Sequence, residues 1–191
     1  PLPPKTRKIG SPGIGYGNEI MIADDNQNPL AAHEEGEILV RGSNVMQGYL
    51  DRPEETAKTI TADGWLRTGD LGRMDEDGFV FVTGRIKELI IKGGENIAPR
   101  EVDEALLEHD AVLEAAAFAR PCQDYGQRVE ACVRLKDGRT VSENDLRGFC
   151  KNLLGAYKTP DHIHFLDDLP KGPSGKIQRM KLIDLAPAAN D

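Results

Sequence analysis

Cysteine is scarce in this sequence. Only three cysteines are present, Cys122, Cys132 and Cys150, and no two of them form a CxxC pair. An odd count without a recurring spacing argues against a disulfide framework and against a thiolate metal site. We therefore expect no metal centre in this chain, and reduced thiols of the kind that are typical of a cytoplasmic protein.

Long hydrophobic runs are also missing. The longest apolar stretches, 79–82 and 112–119, have the length of strands, whereas a membrane-spanning helix needs about 20 apolar residues. No basic segment followed by an apolar core opens the chain, so the sequence predicts no transmembrane segment and no secretory signal. The first residue is Pro1 rather than Met, which indicates a fragment or a processed product.

Positive charge is in the minority. Lys and Arg number 24 against 32 Asp and Glu, which gives a formal net charge of −8 over 191 residues. Such a chain has no general field that attracts nucleic acid or an anionic membrane, so we expect neither as a partner, although local basic clusters can still bind phosphate. A hydrophobic share of 39% with 29% charged residues is typical of a folded globular protein with one large or two small domains.

The first half of the chain reads as β-rich with short connections. Apolar runs bounded by turn residues predict strands at 19–23, 37–40 and 79–83, the last one after a hairpin turn at 75–78. A short helix is expected near residue 53, with Asp51 as its cap and Pro53 in its first turn.

The second half, after Gly84, mixes helices and strands. Pro99 opens a helix that runs to about Glu108, and Ser142 opens a second one that runs through Leu153. The expected strands of this half lie at 89–91, 112–119, 129–135 and 162–166. This order predicts a compact α+β unit of about 100 residues.

Two polar segments punctuated by glycine stand out. The segment 64–72 holds Asp70 between glycines, which we read as a loop. A carboxylate presented in this way can accept hydrogen bonds from two neighbouring hydroxyls, such as those of a ribose. Taken alone, Asp70 is more readily explained as a residue that stabilises a turn.

The second segment, 169–177, is too rich in glycine and proline for a helix and places Lys176 at its far end. A lysine on a flexible glycine loop is a good point charge for a phosphate or a carboxylate. The spacing differs from the phosphate-loop motif of nucleotide triphosphatases, which needs an earlier glycine. Taken alone, Lys176 is more readily explained as a solvated surface lysine.

Four segments of the chain, taken together and in order, match the motifs of one protein family. They are WLRTGD at 65–70, GRIKE at 84–88, GGENIAPREV at 93–102 and PKGPSGK at 170–176, preceded by GEILVRG at 36–42, GYL at 48–50 and PEET at 53–56. In this order they resemble the late motifs of the adenylate-forming superfamily, which contains acyl- and aryl-CoA synthetases, adenylation domains of peptide synthetases and firefly luciferase. The resemblance covers essentially the whole chain.

The resemblance implies a domain organisation. Residues 1–84 resemble the last β-rich, distorted barrel-like subdomain of the large AMP-binding domain. Residues 85–87 match the hinge, and residues 88–191 match the mobile α+β C-terminal domain. The family's upstream loop for the ATP phosphates, its acyl pocket and the residues near its magnesium ion have no counterpart here. The chain alone is therefore expected to be inactive.

The resemblance also implies a reaction and three site residues. In the family a carboxylic acid attacks the α-phosphate of ATP, which gives acyl-AMP and pyrophosphate, and a thiol then displaces AMP. By match, Asp70 would bind the two ribose hydroxyls, with Arg85 as a charged donor beside it. Lys176 would be the catalytic lysine of the first step. ATP or AMP, Mg²⁺ and CoA are the implied cofactors and co-substrates.

The residues implied for the second step lie in the middle of the chain. Lys87 matches the family's hinge position. After rotation about it, a glycine turn would line the tunnel for the pantetheine arm of CoA; the matching residues are Gly93, Gly94 and Glu95. Lys92 and Arg100 are candidates for the CoA 3′-phosphate, with a solvated surface as the competing explanation.

The substrate and the branch of the family stay open at this stage. The motifs are most similar to CoA ligases for fatty or small organic acids, including the oxalate type. One alternative is an adenylation domain that loads the pantetheine thiol of a carrier protein. Another is a non-catalytic module that retains the fold.

Overall fold

The structure is a computed structural model that describes residues 7–187. In it the chain divides into two units, one that ends at Lys87 and one that begins at Glu88. Each unit has its own sheet and its own buried apolar cluster. The α+β class expected from the sequence is confirmed.

The first unit is built on a four-stranded antiparallel sheet whose strands follow chain order. Its elements are β1 (Asn18–Ala23), β2 (Gly36–Gly42), the helix α1 (Pro53–Thr59), β3 (Leu66–Met74) and β4 (Val80–Arg85). Ile22, Ile38 and Val80 form its buried core. Because β1 and β4 lie at the edges, the sheet is open.

Two expectations for this unit are wrong. The segment around Asp70 is a strand, not a loop, because β3 pairs with β2 on one side and with β4 on the other. These pairings satisfy the backbone of a glycine-rich segment that composition alone assigns to a loop. Asp51 does not cap α1: it has a φ of +56°, and the capping position is Arg52, which makes no side-chain cap bond.

The hairpin turn between β3 and β4 is present as expected, and Asp75 organises it. One oxygen of Asp75 accepts the backbone N–H groups of Asp77 and Phe79 at 3.1 and 2.9 Å. The other oxygen accepts Lys8 Nζ at 2.5 Å, which ties the beginning of the described chain to this turn. The hydrogen bond from Lys8 lowers the pKa of Asp75.

Stability of the first unit should therefore fall in acid through Asp75. A carboxyl whose folded pKa is lowered contributes stability above its unfolded pKa of about 4, and that contribution is lost as the pH falls through the folded value. We expect Asp75→Asn to be less stable than the wild type at pH 7, with a smaller difference between the two at pH 3. Urea unfolding monitored by the fluorescence of Trp65, the one tryptophan of the chain, measures both. Equal pH dependence in the two proteins would contradict the assignment.

The second unit contains a five-stranded sheet in the order β6-β5-β8-β7, with β9 parallel to β8. Its strands are β5 (Ile90–Lys92), β6 (Glu95–Ile97), β7 (Val112–Cys122), β8 (Gly126–Leu135) and β9 (His162–Phe165). Its helices are α2 (Pro99–Leu107), α3 (Glu143–Lys158) and α4 (Leu182–Leu185).

Both faces of this sheet are covered, because alternate residues of a strand point to opposite sides. Ala115 and Ala117 of β7 join a cluster with Val102 of α2 and Leu146 of α3. Ala116 and Phe118 join a second cluster, whose other members come partly from the C-terminal segment, namely Leu169, Leu182 and Ala186. The segment that carries Lys176 is thus anchored at both ends on the second face.

The ends of α3 follow local chemistry. The Ser142 hydroxyl accepts the backbone N–H of Asp145 at 3.1 Å, which is an N-cap as expected from the sequence. The first helical segment ends just before Gly155, close to the expected end at Leu153, because Gly155 has a non-helical φ of +76°. Glycine tolerates this conformation, and a second short helical segment follows the kink and runs to Lys158.

The three cysteines are free. Burial raises the pKa of the Cys132 thiol and of the Cys150 thiol to about 11, so both stay protonated at neutral pH. Residues 7–187 contain no group of three or more His, Cys, Asp or Glu side chains that could hold a metal ion. No helix within the same residues is long and apolar enough to cross a membrane.

Candidate active site

Asp70 and Arg85 are brought together by strand pairing. They are direct partners across β3 and β4, and Arg85 Nε lies 3.0 Å from Asp70 Oδ1. The side chains are 31% and 51% exposed, so the pair is accessible to a ligand. A carboxylate has about four acceptor positions, and one contact from Arg85 leaves acceptors for hydroxyl groups.

The strand is held in an irregular shape around Asp70. The pairing of β3 shifts register against both β2 and β4, and Gly69 has a φ of +71°. Thr68 donates to the carbonyl of Ile38 at 2.7 Å and accepts the backbone N–H of Asp70 at 3.0 Å. Bulges of this kind redirect a side chain, so the local shape fixes where the carboxylate of Asp70 points.

Glu37 of β2 binds the same strand, β3, through its side chain. Its buried carboxylate accepts the backbone N–H of Gly69 at 3.1 Å and Nε of Arg67 at 2.9 Å. Glu37 is not among the site residues expected from the sequence, although an acidic residue directly before the apolar run 38–40 is a recognisable signal. Its role is to hold Gly69, the residue directly before Asp70.

Lys176 lies on a turn that is closed by its own backbone. We call residues 171–177 the Lys176 loop; an isolated bridge pairs Lys171 with Ile177. Within it, Gly172 donates to the carbonyl of Lys176 at 2.8 Å and Gly175 donates to the carbonyl of Gly172 at 2.9 Å. Lys176 itself is exposed, and its ammonium makes no hydrogen bond or ion pair to any residue in the described range 7–187. A fixed backbone thus presents a free charge.

The first end of the Lys176 loop is tied to the sheet through Lys171. Its ammonium lies 2.8 Å from a carboxylate oxygen of Glu114 on β7 and 3.1 Å from Asp168. Arg134 reaches the same Glu114 at 3.3 Å. These pairs are partly exposed, so each contributes modestly to stability.

The glycine turn sits between the short strands β5 and β6. Gly93 and Gly94 have φ values of +55° and +88°. A Cβ at Gly93 would also lie 3.1 Å from the hydroxyl of Tyr157 and 3.3 Å from Cδ1 of Tyr125. The positive φ therefore favours glycine at position 93, and an added Cβ would also require a small shift of the two tyrosine side chains. Glu95 follows in β6 and is exposed.

Two tyrosines and a buried lysine hold this turn in place. The Tyr157 hydroxyl donates to the carbonyl of Lys92, and Gly93 donates to the carbonyl of Tyr125 at 2.8 Å. The Lys92 side chain is only 7% exposed and pairs with Asp161 at 3.1 Å. Its ammonium lies 5.7 and 5.5 Å from the centres of the Tyr125 and Tyr157 rings. Lys92 is thus a structural residue here rather than the surface cation expected from the sequence.

Lys87 occupies the middle of a single 3₁₀ turn, Ile86–Glu88, between β4 and β5. It is exposed and is the last residue of the first unit. The structure therefore places Asp70 and Arg85 as a contacting pair in the first unit. Lys176, Gly93, Gly94 and Glu95 belong to the second unit. Tyr125 and Tyr157 gave no sequence signal, because neither belongs to a motif.

Comparison with known proteins agrees with these motifs. A model of the AMP-binding enzyme matches residues 1–50, and a model of the AMP-binding enzyme C-terminal domain matches residues 101–176. The chain is 49% identical to sulfoacetate–CoA ligase from Cupriavidus necator over 186 residues, 97% of this chain and 36% of that protein. It is 44% identical to oxalate–CoA ligase from Saccharomyces cerevisiae over 179 residues, 93% of this chain and 33% of that protein.

A solved structure shows the same similarity in three dimensions. The o-succinylbenzoate CoA synthetase from Bacillus subtilis, in complex with an acyl-adenylate intermediate, matches with a TM-score of 0.84 and 40% identity, over 92% of this chain and 36% of that chain. The chain belongs to the AMP-binding, adenylate-forming enzyme family. It spans about a third of the length of these relatives.

Proposed function

We propose that this chain is the C-terminal part of an ATP-dependent acyl-CoA ligase, which activates a carboxylic acid as acyl-AMP and transfers the acyl group to the thiol of CoA. The observation that carries the proposal is the exposed ammonium of Lys176, free of partners within the described residues and held on a closed loop. The similarity to sulfoacetate– and oxalate–CoA ligases supports the CoA ligase branch of the family.

In the first step, Asp70 binds the ribose of the nucleotide. Its carboxylate accepts the two neighbouring hydroxyl groups, while Arg85 holds the carboxylate in place from 3.0 Å and adds a positive charge near the nucleotide. The exposed position of the pair supports this role. The bulged strand keeps the acceptor geometry fixed before the ligand arrives, which lowers the entropic cost of binding.

Lys176 acts on the charge that develops during adenylation. The acid's carboxylate oxygen forms a bond to the α-phosphorus, and the bond from that phosphorus to the pyrophosphate oxygen breaks. Negative charge builds up on the oxygens in between, and a preorganised ammonium stabilises it more strongly in the transition state than in the ground state.

The second step uses the other residues of the second unit. The CoA thiol attacks the acyl carbon, AMP leaves with the bonding electrons, and the thiol proton is released. We assign the turn at Gly93, Gly94 and Glu95 to the tunnel through which the pantetheine arm reaches the acyl-adenylate, since missing side chains permit close approach to the backbone. Lys87 is the assigned hinge that exchanges Lys176 for this turn, with 1–84 and 88–191 as the parts on either side.

ATP and CoA enter this reaction as substrates. Mg²⁺ would accompany the ATP phosphates, and we assign its site to a part of the ligase outside this chain, because the family's residues near the magnesium ion have no counterpart in the sequence. The free cysteines support a reducing compartment such as the cytoplasm.

The decisive test transfers this chain into a related enzyme. The matching segment of the Cupriavidus necator sulfoacetate–CoA ligase is replaced by this chain, and the product is called the chimeric ligase below. With sulfoacetate and Mg-ATP we expect pyrophosphate release, and with CoA added we expect AMP release and sulfoacetyl-CoA. Lys176→Ala is the inactive control, and Lys151→Ala, at an exposed lysine of α3, is the matched active one.

Other results with the chimeric ligase would contradict or change the proposal. A folded chimeric ligase that binds ATP but releases no pyrophosphate would contradict the proposal. If pyrophosphate is released but CoA does not accelerate AMP release, a pantetheine-loaded carrier protein is tried as the acceptor. Success with that acceptor alone would replace the CoA ligase by a carrier-loading adenylation domain.

Replacing the hinge residue should separate the two steps. In the chimeric ligase, Lys87→Pro is expected to slow thioester formation at least tenfold and to leave adenylation within a factor of two or three, since proline fixes φ at about −65°. Loop motions that exchange conformations commonly limit such steps. Single-turnover assays of each half-reaction measure the difference.

The control for this variant is Lys87→Ala, which removes the charge but keeps the backbone free to rotate. Lys87→Ala should retain both half-reactions. Equal loss of the two half-reactions in Lys87→Pro would contradict a hinge at this residue.

A further inference from the structure

Arg179 lies three residues beyond Lys176, and all three nitrogens of its guanidinium make hydrogen bonds. Nη2 and Nη1 contact the two carboxylate oxygens of Asp103 at 2.6 and 3.2 Å. Nη1 also donates to the backbone carbonyl of Ala117, and Nε contacts Glu88 at 3.1 Å. The side chains of Arg179 and Asp103 are only 16% and 13% exposed. One guanidinium thus joins three separate parts of the second unit.

The partners of Arg179 are themselves fixed. Asp103 belongs to α2 and also accepts the backbone N–H of Ala117 on β7 at 2.5 Å. Burial raises the pKa of Asp103, and the adjacent Arg179 guanidinium opposes that rise. A bidentate, charge-assisted pair in a mostly buried position is far more restrictive in geometry than a surface ion pair. Glu88 is the first residue of the unit and follows Lys87 directly.

These contacts bear on the position of Lys176, because backbone hydrogen bonds close the Lys176 loop on itself. Gln178 donates to the carbonyl of Pro170 at 2.7 Å, which closes the loop at its base. A closed turn of this kind is positioned by whatever holds its two ends. Apolar packing of Leu169 and Leu182 anchors the segment on the sheet. Among the polar contacts, the partly exposed Lys171–Glu114 pair holds one end, and the more buried Arg179 holds the other.

We propose that Arg179 is a positioning residue for Lys176: its bonds to Asp103, Ala117 and Glu88 fix the far end of the Lys176 loop and so aim the ammonium at the reacting phosphate. The inference rests on the proposed function and extends it to a residue that does not touch the substrate. A misplacement of about 1 Å costs roughly 100-fold in rate in other enzymes. Arg179 should therefore govern adenylation and leave thioester formation alone.

The experiment compares two buried arginines of the second unit in the chimeric ligase. Arg179→Gln is expected to lower kcat for adenylation roughly 10- to 100-fold, with little change in KM for ATP and in thioester formation from supplied acyl-adenylate. Arg179→Lys should recover part of the loss. Arg120→Gln is the matched control, since Arg120 is equally buried but bonds to Glu130 and to the carbonyl of Ala186.

A second variant tests the contact itself. Asp103→Asn keeps the shape of the partner but removes its charge, and it should reproduce the selective loss in adenylation. The double variant with Arg179→Gln should be no worse than the more damaging single variant, because both remove the same interaction. Losses that multiply would show that the two residues act independently and would overturn the inference.

The outcomes separate this inference from the proposed function. If the unsubstituted chimeric ligase makes no product, the proposed function fails and the inference fails with it. If the chimeric ligase is active but Arg179→Gln slows both half-reactions equally, or matches Arg120→Gln, Arg179 only stabilises the unit. In that case the inference alone is overturned.

Discussion

Lys176→Ala in the chimeric ligase is expected to form the acyl-adenylate roughly 10²–10³ times more slowly than the parent. The reason is electrostatic: in the proposed function, the exposed ammonium is the charge that stabilises the developing negative oxygens. Removal of one comparable donor costs about 2.7–4 kcal/mol of transition-state stabilisation in other enzymes. Because the loop is closed by backbone bonds, the substitution should leave its shape intact.

Thioester formation should be nearly unaffected in the same variant. The proposed hinge exchanges Lys176 for the glycine turn before CoA attacks, so the lysine has no part in that step. Rapid-quench measurement of pyrophosphate release gives the first rate, and AMP release from supplied acyl-adenylate with CoA gives the second. Lys151→Ala, on the exposed surface of α3, should leave both rates unchanged.

The assignment of Lys176 would be overturned by a different pattern. If Lys176→Ala lowers both rates by the same factor, the lysine acts on folding or on nucleotide affinity instead. If neither rate changes, it is a solvated surface lysine, which is the explanation that the residue taken alone favours.

Local signals in the sequence predicted local structure. The Asp75 turn, the Ser142 cap and the helix start at Pro99 follow from short-range chemistry, and the structure has all three. The exposure of Lys176 likewise follows from a glycine- and proline-rich loop. Each of these features depends on residues within a few positions of one another, so composition and spacing are sufficient.

Long-range contacts were not predictable in the same way. β3 reads as a loop because its glycines obscure the alternation, and only pairing with strands on both sides makes it a strand. Lys92 reads as a surface charge, yet Asp161 and two tyrosines from distant segments enclose it. The Arg179–Asp103 pair joins residues 76 positions apart. Contacts of this kind depend on how distant segments are brought together by the fold, which cannot be predicted from one segment alone.

The centre of the second unit contains a buried charge whose removal should be costly. Glu130 on β8 is fully buried. Its oxygens lie 2.6 Å from Arg120, 2.9 Å from Arg128 and 2.8 Å from His164. Burial opposes its ionisation, but the hydrogen bonds from Arg120, His164 and Arg128 outweigh burial and lower the pKa of Glu130. The carboxylate is thus the counter-charge for two mostly buried guanidinium groups.

Glu130→Gln is expected to destabilise the second unit by about 3–5 kcal/mol, since it leaves buried cations without their counter-charge. Far-UV circular dichroism follows the helices α2 and α3 of this unit during urea unfolding. Fluorescence of Trp65 follows the first unit separately. We expect the dichroism transition to move to lower urea and the fluorescence transition to stay in place.

The matched control is Glu104→Gln, at an exposed glutamate of α2 that pairs with Arg100 one helical turn away. Its loss should cost about 0.5 kcal/mol or less, because surface pairs of this spacing are weak. If Glu130→Gln were as mild as this control, the guanidinium groups of Arg120 and Arg128 would have to find solvent or other partners on losing the carboxylate. The attraction between Glu130 and the two guanidinium groups would then only offset the free energy spent on removing these charges from water. Replacement of all members of the network by apolar residues would in that case be expected to stabilise the unit.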